Sequence, residues 1–242
     1  PTKFSGAYSL LNLAVDEKKD LILKRNPYSQ VQKSFPDSPR EIWVRSLGRA
    51  QVEKSVASGE TDIFIGDFID SSNQDAVFYF VKKIFPKIKR KLKGVRFFVI
   101  GSDPSEALKR LNSDAVVVTG YVRDVTPYFE NCRVFVSPLR YDTMGKGIIG
   151  QSMAYGLPVV TTTIGVEGLG ITDGENALIS DHPREFAKAT IRLYQDENLW
   201  LKLSKGSMEH INANYSKAAS IMRIKNIFST IKAEGPVFAE AE

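Results

Sequence analysis

The residues whose types and spacing best suit chemistry are Gly145, Lys146 and Gly147. They follow a short apolar run, Val134 to Val136, and lead straight into a helical stretch from Ile148 to Tyr155. The first backbone N–H groups of a helix have no partner within it, and the helix dipole adds partial positive charge there. Flanking glycines let an anion approach those donors, and the Lys146 ammonium adds a full charge. The stretch reads as a seat for a phosphate or diphosphate at the carboxyl end of a parallel strand.

From Thr61 onward the chain supplies a scaffold for that seat. Strands are predicted at Asp62 to Gly66, Val95 to Ile100, Ala115 to Val118, Arg133 to Ser137, Pro158 to Thr161 and Ala177 to Ser180. A helix predicted from Asn73 to Lys91 carries Ala76, Val77, Phe80, Val81, Ile84 and Ile88 on one face. Further helices are predicted near Ser105, Val125, Pro183, Leu199 and Lys217. Short strands that are apolar throughout and separated by helices form a parallel sheet covered on both faces. The predicted fold is therefore α/β, a doubly wound, Rossmann-like parallel sheet preceded by a helical N-terminal arm. Such sheets bind ligands beyond the carboxyl ends of their strands. Loops beginning at Gly66, Gly101, Gly120, Leu139 and Thr162 converge there. Glycine after a strand either closes a tight turn or admits a ligand to the backbone. The clustering of these loops with Lys146 favours the ligand.

Composition narrows the class. The chain has 242 residues, 43% hydrophobic and 25% charged, which suits one or two globular domains. No apolar run reaches the roughly 18 residues a bilayer requires, and the first residues lack a basic–apolar–small leader pattern. The single cysteine, Cys132, forms no internal disulfide and reads as a small core hydrophobe. His182 and His210 lack metal-ligand spacing, so no metal site is expected. The net charge of +5 suits ligands that bear phosphate. Residues 1–60, broken by Pro27, Pro36 and Pro39, read as an arm, a linker or the remnant of a preceding domain. The core domain is expected over 61–216 and a C-terminal helix and tail over 217–242.

Four segments taken in order carry a resemblance: FIGDFIDSSNQDAVFYF, VRFFVIGSDP, VVVTGYVRDVTPYFENCRVFVSPLRY, and GKGIIGQSMAYGLPVVTTTIGVEGLGITDGENALISDHPREFA. Together they resemble the C-terminal, nucleotide-sugar-binding domain of the family 4 retaining glycosyltransferases, which have the two-domain GT-B architecture. The resemblance implies sugar transfer from a nucleotide diphosphate sugar to an acceptor hydroxyl, of hexosyl or deoxyhexosyl class, in glycan or polysaccharide assembly. It implies that Lys146 meets the donor diphosphate beside Gly145 and the amides of Gly147 and Ile148. It places Tyr121, Val122 and Arg123 around the base, and Gly66 on a loop facing the sugar and phosphates. It also implies an N-terminal acceptor-binding domain, which residues 1–60 are too few to form. This chain is then mainly the donor-binding half, and a missing domain or a neighbouring subunit supplies the acceptor side. The helix from Lys217 corresponds to one that returns to that domain.

This sequence also departs from the pattern. The two signature glutamates fall at Thr143 and Gln151. Gln151 can still accept a hydrogen bond from the ribose, but without charge. Thr143 cannot act as a carboxylate, although Asp142 is adjacent. Glu167 either touches the donor sugar or caps a turn, and Asp124 reads as a helix cap. Lys82 to Lys93 reads as a solvated helix end, with an anionic membrane surface as second reading; nucleic acid is not expected, since no aromatic platform is interleaved. The acceptor is a glycan, a lipid-linked molecule or a protein. The expected location is cytoplasmic, with peripheral membrane contact. No cofactor is expected, because Lys146 and the helix N-terminus can neutralise the leaving diphosphate without metal. A non-catalytic nucleotide-sugar-binding or scaffold module is the second hypothesis, and a sugar-nucleotide epimerase the third.

Overall fold

The computed structural model describes residues 62–142 and 146–234. The expected arm over 1–60 lies outside the described residues, as do Thr143 and Gly145. Six strands form one parallel sheet: β1 (Asp62–Ile65), β2 (Phe97–Ile100), β3 (Val116–Gly120), β4 (Val134–Ser137), β5 (Val159–Thr161) and β6 (Leu178–Ile179). Their order across the sheet is β3-β2-β1-β4-β5-β6. The chain winds outward from β1 one way, then returns to the other side of β1 with β4. The seam between β1 and β4, where Asp62 pairs with Val134 and Ile63 with Phe135, is the switch point of a doubly wound fold.

Side-chain alternation explains why this sheet is covered twice. Phe64, Phe97, Val99, Val134, Val136 and Val160 enter one core cluster, and Ile63, Ile65, Phe98, Ile100, Phe135 and Val159 enter another. Successive residues of a strand point to opposite faces, so a run apolar at every position needs helices on both sides. Trp200, 1% exposed, anchors the first cluster and donates its indole N–H to the Arg133 carbonyl at 2.9 Å. Cys132 is buried as a small hydrophobe in the second.

The helix predicted as continuous from Asn73 is divided. It runs as α1 (Ser71–Tyr79), a π-helical turn (Phe80–Ile84) and α2 (Phe85–Lys91). Pro86 has no N–H, and its ring crowds the carbonyl four residues earlier. The chain widens just ahead of it, with the Phe85 N–H reaching the Phe80 carbonyl. The helix starts earlier than predicted because the Asp70 carboxylate accepts from the Ser72 N–H at 2.8 Å. The predicted apolar face is otherwise as expected: Ala76, Val77, Phe80, Ile84 and Ile88 are fully buried.

The remaining helices are α3 (Glu106–Lys109), α4 (Thr126–Asn131), α5 (Gly147–Ala154), α6 (Thr163–Val166), α7 (Pro183–Gln195), α8 (Glu197–Tyr215) and α9 (Lys217–Glu234). The α6 turn occupies the start of the loop expected from Thr162; Thr162 caps it, accepting from the Gly165 N–H at 3.2 Å. Ile221, Met222, Ile224, Ile227 and Phe228 on α9 are exposed. No helix among the described residues is long and apolar enough to cross a membrane.

Candidate functional site

The loops after β1 and β4 flank the switch point, and each runs into a helix N-terminus, α1 and α5. Hydrogen bonds tie the carboxyl-end loops together. Gly66 N–H donates to Ile100 O at 3.0 Å, Phe68 N–H to Ser102 O at 3.2 Å, and Gly101 N–H to Gly120 O at 3.1 Å. The Ser72 hydroxyl donates to Asp142 O at 3.3 Å, across the seam, and Thr162 donates to Leu139 O at 2.6 Å. Two of the glycines are required by this lacing. A Cβ on Gly101 would lie 1.7 Å from Gly66 O, and one on Gly66 would lie 2.9 Å from Asn73 Cγ. Packing between loops thus accounts for glycine at 66 and 101 without a ligand. Gly120 is different: its φ of +72° is the conformation that glycine adopts freely.

Lys146 is the N-cap residue of α5, and its side chain makes no capping hydrogen bond. The amides of Gly147 and Ile148 open α5, on the side facing the switch point. Ile149, Gly150, Ser152 and Met153 are buried, whereas Gln151 is exposed on the same stretch. The Lys146 side chain is only 11% exposed and lies between two carboxylates: Asp142 Oδ1 at 2.7 Å and Glu167 Oε2 at 3.8 Å. The structure thus brings Lys146, Gly147, Ile148 and Glu167 together.

Tyr121, Val122 and Arg123 form the turn after β3, with Tyr121 and Arg123 exposed and Val122 half-buried. Val122 and Ile148 pack on the same core cluster, so this turn and α5 cover one face of the sheet. The link continues through Tyr155, whose hydroxyl lies 3.2 Å from Thr126 Oγ1 and whose ring stacks on Phe129 at 4.9 Å. Asp124, expected as a helix cap, stands one residue ahead of the α4 N-cap, Val125; its carboxylate accepts from the Thr126 N–H at 2.9 Å and closes the turn before the helix.

A second cation was missed by sequence reasoning. Arg140, in the loop after β4, donates Nε to Asp75 Oδ2 at 2.9 Å, donates Nη2 to Oδ1, and stacks over the Tyr79 ring at 4.6 Å. The Asp75 hydrogen bond raises the guanidinium pKa further. Partial burial pushes the Tyr79 phenol up, against the pull of Arg140. The partners are 65 residues apart, so no local pattern could reveal them. A second missed group lies at the opposite end of β1. Asp62 is fully buried and accepts from the Tyr194 hydroxyl at 3.2 Å, and among the described residues its Oδ2 has no partner. Burial drives its pKa up to about 8, the Tyr194 hydrogen bond opposing. Among the described residues no group of three or more His, Cys, Asp or Glu side chains could hold a metal. His182 is exposed, its Nδ1 accepting from the Arg184 N–H at 3.3 Å, and His210 Nε2 lies 2.8 Å from Leu169 O.

A parallel sheet with its strand order reversed at β1/β4, and with helix N-termini and a nearly buried lysine at that reversal, defines a Rossmann-like α/β domain. The chain belongs to the family described as "Glycosyl transferases group 1", whose profile matches residues 60–196. Among curated relatives, the lipopolysaccharide core biosynthesis glycosyltransferase LpsE of Rhizobium meliloti is 29% identical over 138 residues, 53% of this chain and 40% of its own. HepE of Anabaena, solved in complex with UDP, is similar in structure at a TM-score of 0.59 and 12% identity, over 77% of this chain and 53% of that one. The C-terminal domain of the group 1 glycosyl transferase LpcC of Francisella tularensis is similar at a TM-score of 0.52 and 16% identity, over 65% of this chain and 86% of that one. The structural likenesses speak for the fold. The chain spans between 30% and 52% of the length of the curated relatives it matches.

Proposed function

We propose that this chain is the donor-binding half of a GT-B glycosyltransferase that moves a sugar from a nucleotide diphosphate sugar to an acceptor hydroxyl in glycan assembly. The observation that carries the reading is the place of Lys146: nearly buried, at the N-terminus of α5, at the switch point of the sheet. A leaving diphosphate gains charge as the glycosidic bond breaks. A lysine and helix amides held at that place stabilise that charge. Gly145, Gly147 and Ile148 then line the diphosphate, Gln151 accepts from the ribose, and Tyr121, Val122 and Arg123 face the base. Gly66, Thr143 and Glu167 border the sugar. Retention at the anomeric carbon, membership of family 4 and a hexosyl class of donor belong to this reading, as does a site that works without metal.

The acceptor side comes from a further domain or a neighbouring subunit. The exposed apolar residues of α9 support a partner for that helix. The acceptor is a glycan, a lipid-linked molecule or a protein, met in the cytoplasm. Lys82, Lys83, Lys89, Arg90, Lys91 and Lys93 are all exposed and available to an anionic membrane surface. Calorimetric titration with uridine, guanosine and thymidine diphosphates tests the donor site. One nucleotide should bind at micromolar to millimolar strength, and Lys146→Ala should weaken it about ten- to a hundredfold, the loss of one charge-assisted contact. Binding unchanged in the variant would refute the assignment.

One observation favours the second reading, a non-catalytic nucleotide-sugar-binding module. Both cations of the loop after β4 are engaged by carboxylates, Arg140 by Asp75 and Lys146 by Asp142 and Glu167. Nucleotide binding without turnover, with the acceptor domain present, would support that reading.

A further inference from the structure

Lys146 stands between two carboxylates that lie on different loops, Asp142 after β4 and Glu167 after β5. Both carboxylates are 73% exposed while the lysine is 11% exposed, so the ammonium is screened from solvent and the acids lie on its outer side. The three groups sum to one negative charge. An anion arriving at the seat must loosen these pairs, and whatever it carries beyond the diphosphate meets the acids. We infer that Asp142 and Glu167 form a charge filter at the donor seat, admitting a diphosphate esterified to a neutral, hydroxyl-rich sugar and disfavouring more highly charged anions.

The inference rests on the donor-site reading and adds the class of sugar. Sugar hydroxyls donate to a carboxylate, so a neutral sugar finds partners in both acids. A uronate sugar brings a third carboxylate against them, and like charges at that range repel. Esterification also removes a charge. The free terminal phosphate of a nucleoside diphosphate gains an extra negative charge above pH about 6, whereas the sugar ester cannot. The filter therefore disfavours the bare diphosphate that remains after transfer, which assists its release.

The test is calorimetric titration of the wild-type chain and of Glu167→Gln, Asp142→Asn and Lys146→Ala. Asp103→Asn serves as control, an exposed carboxylate at the same end of the sheet. The probes are inorganic pyrophosphate, which needs no match to a base, and the glucose and glucuronate esters of uridine diphosphate. Glu167→Gln and Asp142→Asn should each tighten pyrophosphate about three- to tenfold, a range set by the worth of one exposed pair. They should narrow the preference for the glucose over the glucuronate ester by a similar factor, and Asp103→Asn should do neither. Wild-type binding that Lys146→Ala abolishes, with pyrophosphate affinity unmoved by either acid variant, overturns the filter and leaves the donor site standing. An equal gain in Asp103→Asn also overturns it, since overall charge then suffices. No binding of any probe by any variant overturns the filter and the donor site together. Where pyrophosphate binds and neither uridine ester does, the pyrophosphate comparison decides.

Discussion

Asp62 should make this domain lose stability as pH rises, and Asp62→Asn should abolish that loss. The carboxyl is fully buried at the start of β1, with the Tyr194 hydroxyl as its partner and, among the described residues, none for Oδ2. Desolvation lifts its pKa from 3.8 to about 8. Below pH 3.8 the acid is protonated in both folded and unfolded chains, and its contribution is fully present. Between 3.8 and about 8 the unfolded chain gives up the proton and the folded one keeps it. Stability then falls by about 1.4 kcal/mol per pH unit, the full slope of one linked proton. Above about 8 both forms are ionised and the slope ends.

Urea unfolding followed by circular dichroism, in steps from pH 4 to pH 9, measures this directly. The quantity to plot is the difference in unfolding free energy between variant and wild type. An asparagine can still accept from Tyr194, but its amide donors find no partner, so the variant should be no more stable than wild type near pH 4. It should gain steadily toward pH 8 and then level off. A difference that stays flat across the whole range would show that Asp62 ionises like an exposed carboxylate, and the desolvation argument would fall.

Gln151→Glu restores a charge at the exposed face of α5 and should tighten nucleotide binding about three- to tenfold if that position meets a ribose hydroxyl, as read by the same titration. Gly101→Ala places a methyl group 1.7 Å from the Gly66 carbonyl and should cost about 1–3 kcal/mol, visible as a lowered thermal midpoint. Trp200→Ala empties the largest buried side chain and orphans the Arg133 carbonyl; a loss of about 3–5 kcal/mol is expected in urea unfolding.

Much of the fold was legible because its signals are local. Runs of consecutive apolar residues such as Ile63–Ile65, Phe97–Ile100 and Val134–Val136 announce strands buried on both faces, and the chain needs no tertiary information to alternate them with helices. Proline and capping residues mark helix ends for the same reason: they act on backbone groups within a turn of themselves. Pro86 was legible too, but its consequence was not. Whether a proline ends a helix, kinks it or widens it depends on what the flanking residues bury, and here Phe80, Ile84 and Phe85 are held in one core. Glycines such as Gly66 and Gly101 stood out in sequence, while the backbone contact that requires them could be seen only once β1 and β2 were side by side.

The sequence by itself determined a doubly wound α/β domain, a lysine between glycines ahead of a helix, and the family to which these belong. The first two follow from periodicity, caps and spacing within a few dozen residues; the family is legible only as a resemblance carried by four segments in order. Tertiary structure alone decided the charge around that lysine. Asp142 lies four residues away, but Glu167 reaches Lys146 only because the β4 and β5 loops meet at one end of the sheet. It likewise decided that Arg140 is held by Asp75 and that Asp62 is sealed beneath Tyr194, 132 residues along the chain. Desolvation and ion pairing depend on distance through space, and a linear pattern does not contain that distance until the strands are in order.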